Sequence, residues 1–389
     1  MPPRWTPPAT QHHLEEDDPN GTYYRDPNAA AYPRHPIEPV VVSIMNMCPT
    51  SPKDIELFAC GSTLGNLLRF VQGSDKPFRF LVNVVGPIVH LLRRDKSPLE
   101  TIKDVRGFGH TFPEANTTWD RDVRGSKSHQ RVLQYRLGGI NTLIRFEADG
   151  YLPSTDDTSS SGQSLQGTEP EDMEALLRGL SVASPSKKPD TDHRDLVVRH
   201  GGQVIAQERV FDLKTRSFRS KDKDILGEEL PRLWLRQMEH FVLAFHRHHL
   251  FEDITVHDIK EKVDSWERSH QSVISSLTGI LRDIMLKARA REDGQFEIVY
   301  PGSGHLEIRE QLADAGQMLS EKVLGEWKAW LEPGNGQDDT EVIDLDGPDG
   351  DGGVKLDGSS SEYDVDSDSE SGDLTACGID CGYCGKCSY

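Results

Sequence analysis

The stretches that decide the fold are Ile144-Arg-Phe-Glu-Ala-Asp-Gly150 and Arg209-Val-Phe-Asp-Leu-Lys-Thr215. Each alternates apolar and charged residues, which predicts a β-strand with one apolar and one polar face. The polar face of each strand carries two ionisable side chains spaced two residues apart, namely Glu147 with Asp149 and Asp212 with Lys214. Burial of such groups is costly unless they pair with one another or hold a metal ion. The pattern therefore predicts a shared polar site where the two strands meet.

The rest of the chain predicts further helices and strands around these two stretches. Apolar residues at helical spacing predict helices, short apolar or alternating runs predict strands, and Gly-Pro or Gly-Gly pairs predict turns. The predicted helices cover residues 54–72, 228–237, 256–291 and 306–331, and the predicted strands cover 78–85, 88–93, 131–137, 140–149, 204–214, 241–246 and 296–300. This succession predicts an α+β fold (mixed α/β), with a central mixed β-sheet flanked by helices.

Composition divides the chain into a folded body and polar flanks. Residues 1–50 are rich in Pro and polar residues and predict a disordered lead, whereas residues 51–331 carry the apolar periodicity of one domain. Within that domain, the Ser-, Thr- and Asp-rich residues 153–195 predict a flexible insertion between two adjacent strands. Residues 332–376 predict an acidic disordered tail, and residues 377–389 form a cysteine-rich end.

Charge is unevenly distributed along the chain and limits the classes of function. Residues 332–389 contain 16 acidic residues and two lysines, a net charge of −14, which leaves −6 of the total of −20 for residues 1–331. A net-acidic body argues against a protein that coats nucleic acid through a basic stripe, but allows a local basic cleft. We find no stretch with the length of a membrane span or the apolar core of a secretory signal. We therefore expect an intracellular protein, nuclear or cytoplasmic, without membrane contact.

The order of these elements resembles the core of the P-D-(D/E)-x-K nuclease superfamily. Within it, the chain resembles the DXO-type decapping exonucleases, in which a Glu-x-Asp strand precedes a Glu-x-Lys strand, a helix with Trp and Gln, and an apolar strand. The corresponding segments are Glu147-Ala-Asp149, Asp212-Leu-Lys214, Trp234-Leu-Arg-Gln237 and Phe241-Val-Leu-Ala-Phe-His246. Asp212 departs from the Glu that is usual in that family. The phrases His110-Thr-Phe-Pro-Glu114 and Arg145-Phe-Glu-Ala-Asp149 also resemble a group of filamentous-fungal proteins.

This resemblance implies a restriction-endonuclease-like core and a metal-dependent phosphodiester hydrolase that acts on RNA 5′ ends by decapping or exonuclease cleavage. Such chemistry needs hard cations, Mg²⁺ or Mn²⁺, which carboxylates hold so that the ions activate water and neutralise the scissile phosphate. The implied metal ligands are Glu147, Asp149 and Asp212. The implied catalytic residues are Lys214, Gln237 and Glu114, and the implied phosphate contacts are Arg145 and Arg136.

Three other interpretations of the same residues stay open. Acid-x-Lys and acid-x-acid strands also occur on solvated faces, where cross-strand ion pairs form without a metal. A second interpretation keeps the nuclease fold without its activity, as an adaptor that binds SUMO or RNA-processing partners. A prenyl diphosphate synthase is the least favoured, because no pair of helices carries the Asp-Asp-x-x-Asp motifs that hold a diphosphate through Mg²⁺.

Two motifs near the C-terminus predict further binding sites. An apolar segment flanked by acids resembles a SUMO-interacting motif, which would add a strand to a partner's sheet edge. It consists of Val342, Ile343, Asp344 and Leu345, and a chance apolar cluster is its alternative. Four cysteines within 11 residues predict one tetrahedral Zn²⁺ site, with an iron–sulfur cluster or unpaired or disulfide-linked thiols as alternatives. They are Cys377, Cys381, Cys384 and Cys387.

Overall fold

A computed structural model describes residues 1–8, 10, 12–48, 54–94, 97–103, 105–154 and 196–332. Within these residues the helices are α1 (Pro27–Ala31), α2 (Glu38–Met47), α3 (Gly61–Val71), α4 (Thr111–Asn116), α5 (Ile225–Leu235), α6 (Lys260–Ser269), α7 (Gln271–Ala290) and α8 (Glu321–Leu331). None of these helices combines the length and the apolar character needed to span a bilayer. The α+β fold class expected from the sequence is confirmed.

The strands in the described residues form two seven-stranded sheets and one two-stranded sheet. In chain order they are β1 (Arg4–Trp5), β2 (His12–His13), β3 (Tyr23–Tyr24), β4 (Leu57–Cys60), β5 (Phe78–Val85), β6 (Ile88–Arg93), β7 (Thr101–Ile102), β8 (Thr117–Thr118), β9 (Gln130–Leu137), β10 (Ile140–Glu147), β11 (Gly150–Tyr151), β12 (Val210–Ser217), β13 (His240–Arg247), β14 (Leu250–Asp258), β15 (Gln295–Tyr300) and β16 (Glu307–Arg309). The first sheet has the order β2-β14-β13-β12-β11-β1-β8, and the second has the order β16-β15-β5-β6-β4-β10-β9. The sequence predicts a single central sheet, so the division into two is a finding of the structure.

The second sheet contains the first of the two stretches that decide the fold. Its strands β6, β4 and β10 run parallel, and β9 pairs with β10 as an antiparallel hairpin. The hairpin turns at Gly138 and Gly139, as predicted, and both glycines have positive φ values of 54° and 83°. A Cβ on Gly138 would lie 2.2 Å from Thr278 Cγ2 of α7. The turn therefore needs glycine both for its backbone angles and for the close approach of α7.

Alternate residues of β10 pack into two different apolar clusters, one on each face of the second sheet. Ile144 and Phe146 are buried among residues of α3, α5, α6 and α7. Leu143 faces the other way and is buried with Val41 of α2 and Trp327 of α8. This follows from the period of two along a strand. Each fully buried side chain of this size contributes about 1.5–3 kcal/mol of transfer free energy, so both faces fix the register of β10.

The first sheet contains the second stretch, in β12. Strand β11 pairs antiparallel with β12, with Gly150 opposite Phe211 and Tyr151 opposite Val210. Strand β12 in turn runs parallel to β13. The two strands on either side of the predicted insertion are therefore neighbours in one sheet, and residues 155–195 of that insertion lie outside the described residues.

The N-terminal residues differ from the expected disordered lead. In the described part of 1–48, β1 pairs with β11 and β8, and Trp5 packs edge-on against Phe211 with their ring centroids 5.4 Å apart. Helix α2 buries Val41 completely. The expectation fails because a few apolar residues anchor a stretch whose composition is mainly polar and Pro-rich, and average composition does not detect such anchors.

Three predicted helices differ from the observed elements. The helix predicted over 54–72 begins with strand β4, whose four residues are all buried and therefore show no alternation. The helix predicted over 256–291 is preceded by strand β14 and consists of two helices, α6 and α7. The helix predicted over 306–331 contains strand β16, and helix α8 starts only at Glu321. Short apolar runs fit strand and helix periods equally well, so tertiary pairing decides between them.

Candidate functional site

The site lies where the chain passes from one large sheet to the other. Strand β10 ends at Glu147 in the second sheet, and β11 begins at Gly150 in the first. Because Gly150 pairs with Phe211, Asp149 lies beside Asp212, and the backbone N–H of Leu213 donates to Asp149 Oδ2 at 2.6 Å. The structure thus brings together the three acids that the sequence singles out.

The three carboxyl groups differ in charge state because their surroundings differ. Burial, and then the neighbouring Asp26 carboxylate, raise the pKa of Glu147 from 4.5 to about 7. Burial, and then Asp212, raise the pKa of Asp149 well above its usual range. Like charges that are close together in a low-dielectric site cannot all ionise without cost. Ionisation of Asp149 is therefore opposed both by its burial and by the neighbouring Asp212.

Asp212 is held in its ionised form by two arginines of α5 and its C-terminal end. Arg232 Nη1 donates to both carboxylate oxygens of Asp212 at 3.1 and 2.9 Å, and Arg236 Nη1 donates to Oδ2 at 2.5 Å. Burial alone would raise the pKa of Asp212, but the two guanidinium groups bring it down to about 2. Asp212 is thus the centre of a buried, charge-assisted hydrogen-bond network.

Lys214 is also paired, on the same face of β12. Its ammonium group donates to Glu229 Oε1, and Glu229 Oε2 accepts from Arg232 Nε at 2.8 Å. Burial opposes ionisation of Glu229, but Arg232 and Lys214 lower its pKa to about 2. Arg232 therefore bridges the carboxylates of Asp212 and Glu229, and the polar face of β12 is neutralised by α5.

The sequence interpretation missed these partner residues on α5. Glu229, Arg232 and Arg236 are spaced by three and four residues, which places them on one face of a helix and its final turn. Leu233, four residues after Glu229, lies beside this stripe and is fully buried in the core. A charged stripe of this spacing next to a strand with Asp-x-Lys is a signal that could have predicted the network, since buried charges need partners.

Two of the other predicted residues lie away from this cluster. Arg136 is exposed and pairs in the hairpin with Asn141, which is six residues, or about 20 Å at about 3.3 Å per residue, from Glu147. Glu114 is exposed on α4, and its electrostatic neighbours are Tyr23 and His110. The structure therefore does not bring these two side chains into the acidic cluster.

Gln237 and Arg145 lie closer to the cluster and differ in what they contact. Gln237 has a left-handed backbone (φ 50°), and its amide donates to the carbonyl of Trp234 at 2.7 Å, so it closes the end of α5. Arg145 Nε donates to Gln130 Oε1 at 2.9 Å, and Arg145 Nη2 lies 3.5 Å from Asp26 Oδ2. Arg145 is thus the predicted phosphate contact that the structure places next to Glu147.

A small, partly open cleft lies next to the cluster. Its walls come from the ends of the parallel strands β6, β4 and β10, the first turn of α3 and the end of α5. The lining residues are Asp26, Cys60, Gly61, Ser62, Arg93, Gln130, Arg145, Phe146, Glu147 and Arg236. Glu147 is the only member of the acid triad among them. Ligands commonly bind at the carboxyl ends of parallel strands.

The described donor set does not fit a divalent cation as it is arranged. Mg²⁺ and Mn²⁺ need ionised oxygen ligands, but burial and Asp212 oppose the ionisation of Asp149, and Asp212 is itself paired with Arg232 and Arg236. The two guanidinium groups supply the positive charge that a metal would bring. Across the described residues, no group of three or more His, Cys, Asp or Glu side chains is arranged to hold a metal ion.

A known protein family matches most of this chain. The family described as "Domain of unknown function (DUF8563)" matches residues 2–302. The chain belongs to this family. No curated protein matches this chain.

Solved structures show that the DUF8563 chain has the fold of Rai1. Rai1 from Scheffersomyces stipitis, in complex with 3′-NADP⁺ and a calcium ion, is 11% identical, covers 84% of this chain and 88% of its own, and has a TM-score of 0.51. Candida albicans Rai1, in complex with pU5 and Mn²⁺, is 9% identical, covers 85% and 99%, and has a TM-score of 0.49. Dxo1 from K. lactis, in complex with manganese, is 10% identical, covers 75% of each chain and has a TM-score of 0.41. The DXO-type resemblance expected from the sequence is therefore confirmed at the level of the fold.

The tail motifs of the sequence lie outside the described residues. This applies to the SUMO-interacting segment with Val342, Ile343, Asp344 and Leu345 and to the zinc site with Cys377, Cys381, Cys384 and Cys387. Both remain predictions from the sequence.

Proposed function

We propose that this chain binds the 5′ ends of RNA in the cleft of a Rai1-like fold and holds them without metal-dependent cleavage. The fold supports an RNA-end or nucleotide ligand, since the S. stipitis Rai1 structure of the same fold contains 3′-NADP⁺. The cleft supports an anionic ligand, because three of its lining residues are arginines: Arg93, Arg145 and Arg236.

The pairing of Asp212 with Arg232 and Arg236 supports the second part of the proposal, that the RNA end is held without metal-dependent cleavage. A catalytic carboxylate must be able to give its oxygens to a cation, and the oxygens of Asp212 already accept three hydrogen bonds from guanidinium groups. Lys214, which the family resemblance assigns to the attacking water, is bonded to Glu229. Asp212 and Lys214, the two members of the expected acid-x-Lys pair, therefore both have hydrogen-bond partners within the protein.

A metal-dependent phosphodiester hydrolase acting on RNA 5′ ends is the second candidate, and one observation favours it. Glu147 and Asp149 have raised pKa values because they are buried close to other carboxylates. A divalent cation would relieve that repulsion. This candidate requires Arg232 and Arg236 to leave Asp212.

One assay with the full-length chain separates the two candidates. A 5′-phosphorylated, fluorescently labelled oligoribonucleotide is incubated with the protein in EDTA and in Mn²⁺, and both anisotropy and product length are measured. We expect binding in EDTA, and in Mn²⁺ no more cleavage than the double variant Glu147→Ala/Asp149→Ala shows. Mn²⁺-dependent cleavage that disappears in the double variant would establish the hydrolase instead. Absence of RNA binding in both buffers would overturn the proposal itself.

A further inference from the structure

The N-terminus of α3 forms part of the wall of the cleft. Helix α3 has 11 residues, its N-cap Cys60 provides no capping side-chain hydrogen bond, and its first turn contains no acidic residue. The N-terminal backbone N–H groups of a helix carry a partial positive charge and favour phosphate ligands. Cys60, Gly61 and Ser62 all line the cleft, so the start of α3 is open to a ligand there.

A buried and unsatisfied arginine nitrogen faces the same place. Arg236 is 7% exposed, and its Nη1 is used by Asp212. Its Nε is buried and has no hydrogen-bond partner. A Cβ placed on Gly61 would lie 3.8 Å from this Nε, which puts the unused donor against the first residue of α3. A buried donor without a partner costs free energy, and a ligand oxygen in the cleft would satisfy it.

The strand ends add positive charge around the helix start. Arg93 ends β6, and Cα pairing places Arg145 of β10 opposite Cys60 of β4. Burial raises the pKa of the Cys60 thiol, and Arg145 and Arg93 oppose this rise, so both guanidinium groups act on the helix start. The lining contains two acids. Asp26 is bonded to the backbone N–H groups of α1 and paired with Arg145, and the pKa of Glu147 is raised to about 7 by burial and then by Asp26.

From this convergence we infer that the cleft binds a terminal phosphate group, with the group seated on the N-terminus of α3 and contacted by Arg236 and Arg93. The inference rests on the proposed binding of RNA ends. It adds the chemical group at the RNA end that the cleft recognises. A phosphate monoester carries up to two negative charges and several acceptor oxygens, which suits charge-assisted donors that converge from three elements. A 5′-hydroxyl end offers neither.

The test compares matched ends and matched variants in the full-length chain. Oligoribonucleotides of one sequence, with either a 5′-phosphate or a 5′-hydroxyl, are titrated in EDTA by fluorescence anisotropy. We expect the wild type to bind the 5′-phosphate end about tenfold or more tightly, the scale of one charge-assisted hydrogen bond. Arg93→Gln should reduce this preference to about twofold or less with little change in 5′-hydroxyl affinity. Arg309→Gln is the control, because Arg309 is exposed at the far edge of the same sheet and pairs with Glu307.

Arg236→Gln provides a second variant, and inorganic phosphate provides a second probe. Since Arg236 also bonds Asp212, its variant is measured only where thermal unfolding shows a folded chain. A stabilisation of the wild type by inorganic phosphate that Arg93→Gln loses supports the site even if RNA itself does not bind. Equal wild-type affinity for both RNA ends, or an equal loss for both ends in Arg93→Gln, would overturn the phosphate site while leaving RNA binding in place.

Discussion

Substitution of Asp212 by Asn distinguishes a carboxylate held by arginines from one kept for a metal. In the arginine-paired arrangement, the pKa of Asp212 lies at about 2 instead of 3.8. At about 1.36 kcal/mol per pKa unit, ionised Asp212 stabilises the folded chain by about 2 kcal/mol at neutral pH. That stability is present above pH 3.8 and is lost as the pH falls towards 2. Removal of the charge also leaves the buried Arg236 and the half-buried Arg232 each short of a partner, so we expect a total loss of about 2–4 kcal/mol.

For removal of the Glu147 charge we predict the opposite effect on stability, so Glu147→Gln is the matched comparison for Asp212→Asn. Its folded pKa of about 7 lies above the ordinary 4.5, so the folded state binds more protons between these values and stability falls as pH rises through them. Glu147→Gln removes that loss. At pH 8 the substitution should raise the free energy of unfolding by at most about 3 kcal/mol. Solvent screening of the partly exposed side chain reduces this gain. At pH 5 the gain falls to about 1 kcal/mol or less.

The assay is guanidinium unfolding followed by tryptophan fluorescence, in EDTA, at pH 8 and pH 5. The control is Asp283→Asn, because Asp283 is exposed and pairs with Lys287 one helical turn away, so it should change stability by about 0.5 kcal/mol or less. If Asp212→Asn instead stabilises the chain, as removal of one like charge from a set of metal ligands would, the arginine-paired arrangement is refuted.

Two further predictions concern stability away from the cleft. His90 is fully buried and its pKa is lowered by burial from 6.5 to about 4, so the unfolded chain binds more protons between these values. His90→Asn should therefore reduce the loss of unfolding free energy between pH 7 and pH 5 by about 2 kcal/mol, measured by denaturant titration, and an unchanged loss would contradict this. Gly138→Ala should destabilise the chain by about 2–4 kcal/mol through its positive φ and its overlap with Thr278. Gly304→Ala, with a positive φ but open space around the Cβ position, should cost only about 1 kcal/mol, and equal thermal shifts would argue against the overlap.

The sequence predicts the elements in which local pattern and tertiary contact agree. The hairpin around Gly138 and Gly139 is predictable because the turn residues and the flanking alternation both specify it. The shared face of Asp212 and Lys214 on β12 follows from the period of a strand alone. By contrast, β4 consists of four buried residues and carries no periodic signal, so only its pairing with β6 and β10 makes it a strand.

The partners of the acids could not be predicted in the same way. The family resemblance points to Gln237, but successive helical residues differ in direction by about 100°, and it is Arg236 that faces the cleft. Whether a carboxylate meets a metal or an arginine depends on which side chains a distant helix presents. That information lies in tertiary packing, which a strand motif does not contain.

The position of α5 therefore bears on the choice between the two proposed functions, RNA binding and RNA cleavage. For Asp212 and Lys214 to act on a substrate, Arg232 and Glu229 would have to move away from β12, and both are carried by one helix. That helix is anchored by its neighbours: Leu233 is fully buried, and the indole N–H of Trp234 donates to Glu267 of α6 at 2.9 Å. A fully buried leucine loses about 1.5–3 kcal/mol when exposed, before the broken ion pairs are counted. Rotation of α5 would thus cost far more than a rotamer change, and this cost supports the proposal of a cleft that binds its ligand without a cation at Asp212.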